Sequence, residues 1–399
     1  MHLLNLPPLL SLLALTSALP RPTPAPTPLP LIIWHGLGDR YDADGLHSTG
    51  DLAKKVHPGT YVYYIRTDDD GNTDRSNTFF GNLTTQLDDV CEALKLDAKL
   101  LDPSDPDGGI RVDALGFSQG GQFLRGLLER CDGLSMRSLV TFGSQHNGIA
   151  EFQTCGRFDF VCKGATALVK GNAWTEYVQN KVVPAQYYRP LNATTGMPKE
   201  EYLEGSNFLA DVNNERVNKS EGYKRKIASL ERFVMAVFEE DVTVVPRESG
   251  WFAEVNATSG EVTPLRERQM YKEDWLGLRE LDEKGGLFFE TAPGKHMELS
   301  DEVLRSAFKT YFGAEGEASS GGLLDGTIAG GRLNNDQQML MQDDHVFGCG
   351  ADEAQAWWDS LTWLERRQFE WEAVWKPWLR GELAPLRVYD KDHKKVDLL

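Results

Sequence analysis

"RVDALGFSQGGQFLRGLLERC", residues 111–131, places a serine between two glycines where two residue patterns meet. Upstream, "GIRVDALGF" reads as a buried strand. Downstream, "GQFLRGLLERC" puts Phe123, Leu124, Leu127 and Leu128 on one side of a helix. Ser118 therefore falls on a sharp strand-to-helix turn. Gly116-Phe117-Ser118-Gln119-Gly120 fits G-x-S-x-G, where small neighbours relieve crowding and the serine Oγ stands above the sheet. The bare pattern recurs by chance, and a plain glycine turn is its bland reading. The flanking strand and helix give it weight.

The same alternation runs outward on both sides. "PLIIWHGLGD" (30–39) opens as a strand and ends in a glycine-punctuated loop, and "TYVYYIRT" (60–67) is a second strand. "QLDDVCEALKL" (86–96) has helical spacing, with Leu87, Val90, Cys91 and Leu94 on one face. "SLVTFGS" (138–144) is a fourth strand. After it the pattern breaks into short pieces, which reads as an insertion at about 147–225 that caps the sheet. It resumes with "LERFVMAVFEED", a final strand in "GLFFETAPGKHMEL", and a closing helix over 300–313 with Ser300 as N-cap. Strands alternating with helices give an α/β fold with a mostly parallel central sheet.

A serine at its ordinary pKa needs a base. In the α/β-hydrolase fold the chain order is Ser, then Asp or Glu, then His. Of the histidines after Ser118, His146 lies beside the next strand, and His345 and His393 lie in the tail. His296, between the last strand and the last helix, is the candidate base. The acid is expected in "VMAVFEEDVTVVP": Asp241, with Glu240 in reserve. An oxyanion hole needs two aligned N–H donors. The candidates are the backbone of Gln119, just after the nucleophile, and of Leu37, whose glycine neighbours let that backbone approach a substrate closely. His35 reads as structural.

The bulk numbers narrow the setting. The 399 residues are 41% hydrophobic and 26% charged, with a formal net charge of −18, which argues against nucleic-acid binding. "MHLLNLPPLLSLLALTSALP" reads as a secretory signal peptide over 1–18, followed by a proline-rich spacer over 19–29. No later run is long and apolar enough to read as transmembrane. Secretion makes the five cysteines legible. Cys91 with Cys131 and Cys155 with Cys162 are the expected disulfides, other pairings staying open, and Cys349 is left over. Sequons at Asn82, Asn192, Asn218 and Asn256 are candidate glycosylation sites. No Cys/His spacing suggests zinc, and no metal or cofactor is expected. The hydrolase unit spans 30–313, a flexible linker 314–350 and an extension 351–399. In the extension Trp357, Leu361, Leu364, Trp371, Trp375 and Trp378 form one helical face, broken near Pro377 and expected to dock on the hydrolase body, with a membrane interface or a partner as the alternatives.

"IIWHGLGD", "GFSQGGQFLR", "FLADVNNER" (208–216), "WFAEV", "YKEDWLGLRELDEKG" and "GKHMELS" occur in the order of the palmitoyl-protein thioesterase 1 family. The resemblance runs from about 29 to 312. It implies an enzyme of the secretory pathway, lysosomal, vacuolar or exported, that removes thioester-linked long acyl chains from S-acylated proteins or peptides. It carries the nucleophile, acid and base onto Ser118, Asp241 and His296, and the oxyanion donors onto Leu37 and Gln119. It also implies the two disulfides paired as above, a sequon match at Asn218, and a lipid-accommodating role for the insertion. Three positions depart from it. Leu37 replaces a methionine, Arg40 and Tyr41 replace two adjacent cysteines, and nothing corresponds to the segment after Gly313. The residues alone also admit a secreted lipase or esterase with the same triad, or a non-catalytic lipid-binding protein on a hydrolase scaffold.

Overall fold

A computed structural model of the chain describes residues 27–151, 172–192 and 195–314, together with the two-residue strands Val388–Tyr389 and Lys395–Val396, which pair antiparallel. The leader, Cys155, Cys162, Cys349 and the tryptophan stripe lie outside the described residues.

Short apolar runs supply the strands. They are β1 (Leu31–Trp34), β2 (Val62–Tyr64), β3 (Ile110–Phe117), β4 (Leu134–Phe142) and β5 (Arg232–Phe238). A small antiparallel pair, β6 (Glu254–Val255) and β7 (Val262–Thr263), precedes β8 (Leu287–Ala292). Six of them form one sheet in the order β2-β1-β3-β4-β5-β8, every neighbouring pair parallel. A parallel sheet is covered on both faces, so its strands are apolar on both sides. Ile32, Val112 and Met235 enter one core, while Leu31, Ile33, Leu115 and Val234 enter the other. This alternation is the two-residue period of a strand.

Helices cover the two faces. On one side α1 (Asp44–Val56) packs beside the closing helix Asp301–Tyr311, whose N-cap is Ser300, accepting from the Val303 N–H. Next in sequence comes the short α2 (Gly71–Asn77). On the other face lie α3 (Leu83–Leu96) and α4 (Gln119–Arg130). Cys91 of α3 is disulfide-bonded to Cys131 at the end of α4.

Among the stretches that differ from the sequence expectation, two have a clear cause. Residues 44–56 form a helix that the pattern did not single out, because its buried face includes Thr49 and Gly50 beside Leu46, Leu52 and Ala53. β4 starts at Leu134, ahead of the expected 138. The reason is Arg137, a charge inside a strand. It is buried because Nε donates to Asp113 Oδ1 of β3 at 3.0 Å, and a second N–H bonds the other carboxylate oxygen. An internal ion pair thus breaks up an otherwise apolar run.

Between β4 and β5 the described residues form short helices, among them Glu176–Lys181, Glu200–Gly205 and Glu221–Ala228, with a 3-10 turn at Val183–Tyr187. They are fastened by buried polar groups. Arg125 of α4 donates to the carbonyls of Val212 and His146 and to Asn213 Oδ1. Arg189 bonds Glu215 at 2.7 Å and Glu254 at 2.7 Å, the latter on β6. Among the described residues no helix is long and apolar enough to cross a membrane.

Candidate active site

β3 ends at Phe117 and α4 begins at Gln119, leaving Ser118 to make the whole turn. Its backbone sits at φ 52°, ψ −125°, a left-handed region that a residue with a Cβ rarely occupies. The surroundings hold it there. The Ser118 N–H donates to the Phe142 carbonyl at 2.8 Å. A Cβ on Gly120 would lie 2.3 Å from the His35 carbonyl oxygen, and one on Gly116 would lie 2.3 Å from the Gly121 Cα. The glycines are there because the backbones touch.

His296 comes from the loop after β8. Its ring lies edge-on to Phe238, with centroids 5.9 Å apart, and against Gly143, where a Cβ would come within 2.9 Å of the imidazole. The Ser118 hydroxyl is 3.0 Å from Nε2, and Nδ1 is 2.7 Å from Asp241 Oδ2. The other oxygen of Asp241 accepts the N–H groups of Thr243 and Val244. The three residues follow β3, β5 and β8, all at the same end of a parallel sheet. Asp241 turns inward and is buried, whereas Glu239 and Glu240 are exposed. His146 is also buried, but it bonds Thr141 and stacks on Phe252, away from Ser118. Desolvation, helped by the nearby Arg125 charge, keeps its pKa well below the usual histidine value.

The loop after β1 lies against the serine: a Cβ on Gly36 would be 3.1 Å from the Ser118 Cβ. Gln119 opens α4, so its N–H has no intrahelical acceptor. The Leu37 N–H donates to no acceptor among the described residues. His35 is buried, and its Nε2 lies 2.9 Å from Asp74 Oδ2. Asp74 also accepts the N–H groups of Tyr41 and Thr67. Burial alone would raise its carboxyl, but the bonds from His35 and these N–H groups hold it below the usual range. Asp74 was not singled out in the sequence. Two of its partners, His35 and Tyr41, lie 39 and 33 residues away, and no periodicity marks them.

Of the sequon asparagines, Asn192 and Asn218 are exposed. Asn82 and Asn256 are half-buried. Asn82 caps α3 through the Thr85 N–H, and its amide donates to Asn180 at 2.6 Å.

The family model described as "Palmitoyl protein thioesterase" matches residues 30–296. The chain is 34% identical over 309 residues to "Palmitoyl-protein thioesterase 1" of Caenorhabditis elegans, covering 77% of this chain and 98% of that one. It is 35% identical over 291 residues to "Palmitoyl-protein thioesterase-dolichyl pyrophosphate phosphatase fusion 1" of Schizosaccharomyces pombe, covering 72% of this chain and 44% of that longer one. A more distant similarity, 27% over 264 residues, is to "Lysosomal thioesterase PPT2-B" of Xenopus laevis, covering 65% of this chain and 83% of that one.

Proposed function

From the membership of this chain in the palmitoyl-protein thioesterase family, we propose that it hydrolyses thioesters joining long-chain fatty acids to cysteine side chains, with Ser118 as nucleophile. The observation that supports this reading most is the chain of contacts from Asp241 through His296 to Ser118, at 2.7 and 3.0 Å.

In the first half-reaction Ser118 Oγ attacks the thioester carbonyl while His296 Nε2 takes its proton. Asp241 fixes the imidazole with Nδ1–H inward and stabilises the imidazolium as it forms. The carbonyl oxygen becomes an oxyanion, held by the N–H groups of Leu37 and Gln119. Collapse breaks the carbon–sulfur bond, and the departing thiolate takes the proton from His296. In the second half-reaction water attacks the acyl-serine with His296 again as base. The fatty acid leaves and Ser118 regains its proton. Both half-reactions balance with no redox partner.

The acyl chain needs apolar cover, which we assign to the insertion at about 147–225. Burying about fourteen methylenes at about 0.8 kcal/mol each supplies ample binding before ordering costs. A signal peptide over 1–18 and glycans on the exposed Asn192 and Asn218 fit entry into the secretory pathway. The relative named a lysosomal thioesterase supports a lumenal, lysosome-like destination.

The test is hydrolysis of a palmitoylated cysteine peptide beside a matched oxygen ester and a triglyceride, with Ser118→Ala as control. Preferred thioester cleavage that vanishes in the variant is the expected result. Preferred cleavage of the oxygen ester or triglyceride moves the protein to the lipases. The absence of any Ser118-dependent hydrolysis overturns the catalytic reading.

A further inference from the structure

Two backbone N–H groups, from positions 82 residues apart in sequence, must face one oxygen atom if Leu37 and Gln119 form the oxyanion hole. The loop that carries Leu37 is not stiff by composition. Leu37 lies between two glycines, and Gly38 sits at φ 79°. Gln119 opens a helix straight after the strained Ser118. A donor flanked by glycines is free to turn away unless the next peptide group is tied down.

One residue is bonded to both sides. Thr78, the C-cap of α2, is buried. Its Oγ1 accepts the N–H of Gly38 at 2.9 Å and donates its own proton to the Arg75 carbonyl at 2.7 Å. The backbone carbonyl of the same threonine accepts Nε2 of the Gln119 side chain at 3.3 Å. The far end of that amide, Oε1, accepts the Tyr187 hydroxyl at 3.3 Å. The Thr78 hydroxyl thus uses its one donor on α2 and offers a lone pair to the peptide that follows Leu37.

We infer that Thr78 is a positioning residue for the proposed thioester hydrolysis, clamping the Leu37 and Gln119 donors in register. The inference rests on the Ser118 mechanism above and adds a residue that touches neither substrate nor any triad member. The hydroxyl sets the Leu37 side and the carbonyl sets the Gln119 side. α2 is a firm base for both, being tied to the β1 loop through the bonds of Asp74 to His35 and to the Tyr41 N–H. A change at Thr78 that keeps its shape but removes its lone pairs frees Gly38 and leaves the carbonyl bond in place.

Thr78→Val makes that change, and Thr78→Ser restores the hydroxyl. On a palmitoylated cysteine peptide, kcat of Thr78→Val is expected to fall about 10- to 100-fold, somewhat less than outright removal of an oxyanion donor. KM is expected to stay within about threefold, because the ground-state carbonyl makes little use of the hole. A palmitoyl trifluoromethyl ketone, which forms a charged adduct with Ser118, should lose affinity by about the same factor as kcat/KM. Thr78→Ser should recover most of the activity. A merely structural role would lower the melting temperature and the folded fraction while leaving kcat per folded molecule and the ketone affinity unchanged, and that result overturns the inference. If Thr78→Val does not accumulate as folded protein, Thr78→Ala is read in the same three assays against the same outcomes. Activity that persists in Ser118→Ala overturns the underlying mechanism too. Ser118-dependent activity with an unaffected Thr78→Val overturns the clamp alone.

Discussion

Nδ1 of His296 lies 2.7 Å from Oδ2 of Asp241, whose second oxygen is occupied by the N–H groups of Thr243 and Val244. The carboxylate is thereby fixed in rotation, and one oxygen is left for the histidine. Replacing Asp241 with Asn keeps the shape but puts an amide opposite Nδ1, favouring the wrong tautomer. Steady-state kinetics should show kcat falling by about 10³- to 10⁴-fold. Glu240→Gln, on the exposed neighbour, should stay within about twofold of wild type. The reverse ranking would move the acid to Glu240.

Gly120 tests the elbow by packing rather than by chemistry. Its Cα faces the carbonyl oxygens of His35 and Trp34, and an added Cβ would lie 2.3 and 2.5 Å from them. Both are backbone atoms and cannot rotate aside. Gly120→Ala should cost about 1–3 kcal/mol of stability by overpacking. It should also lower kcat, since the displaced β1 loop carries Leu37. Urea unfolding beside kinetics checks both, and an unchanged urea midpoint would contradict the contact.

The disulfide between Cys91 and Cys131 ties α3 to the far end of α4 and closes a loop of 40 residues in sequence. Removing it by a double Ala substitution should cost about 2–4 kcal/mol. The bond lies at the opposite end of α4 from Ser118, so kcat per folded molecule should be unchanged while the urea midpoint falls.

Glu129 makes a pH prediction. It is buried beside Arg125, 2.9 Å away. Burial pushes its carboxyl up from 4.5 to about 8, although the Arg125 guanidinium draws it down. A folded-state value above the unfolded one means that the folded protein holds this proton longer. The contribution is fully present below about pH 4.5 and is lost as pH rises towards 8. Glu129→Gln cannot ionise. Its stability relative to wild type should therefore climb over that interval and level off above it. Thermal melts from pH 4 to 9 would show this, and a flat difference would mean that Glu129 ionises alike in both states.

The strand-to-helix turn at Ser118 was legible because three independent patterns agree there. β3 is mostly apolar, α4 is amphipathic, and the spacing of Gly116 and Gly120 admits a close backbone crossing. The chain order of Ser118, Asp241 and His296 then left few alternatives, since the parallel sheet puts every strand-to-helix loop on one edge. The groups that fasten that edge were not legible. The bonds from Asp74 to His35 and from Thr78 to Gly38 span about 40 residues and follow neither a helical nor a strand period. Arg137 hid the start of β4 for a related reason: a charge inside a strand reads as a break until its partner, Asp113, is seen beside it. Asn82 was noticed as a sequon, whereas the structure also uses it to cap α3.

The position of β8 bears on the biosynthesis of the protein. Among the described residues β8 forms one margin of the sheet, with β5 as its neighbour. His296 follows its last residue, Ala292, by four positions. A ribosome completes the serine and the aspartate long before it delivers the imidazole. Even then the imidazole reaches them only once the marginal strand has annealed. Under the proposed mechanism a nascent chain is therefore chemically silent, and hydrolysis begins only when the sheet is whole. A protease cut between Asp241 and His296 that let β8 peel away would return the protein to that silence with Ser118 untouched.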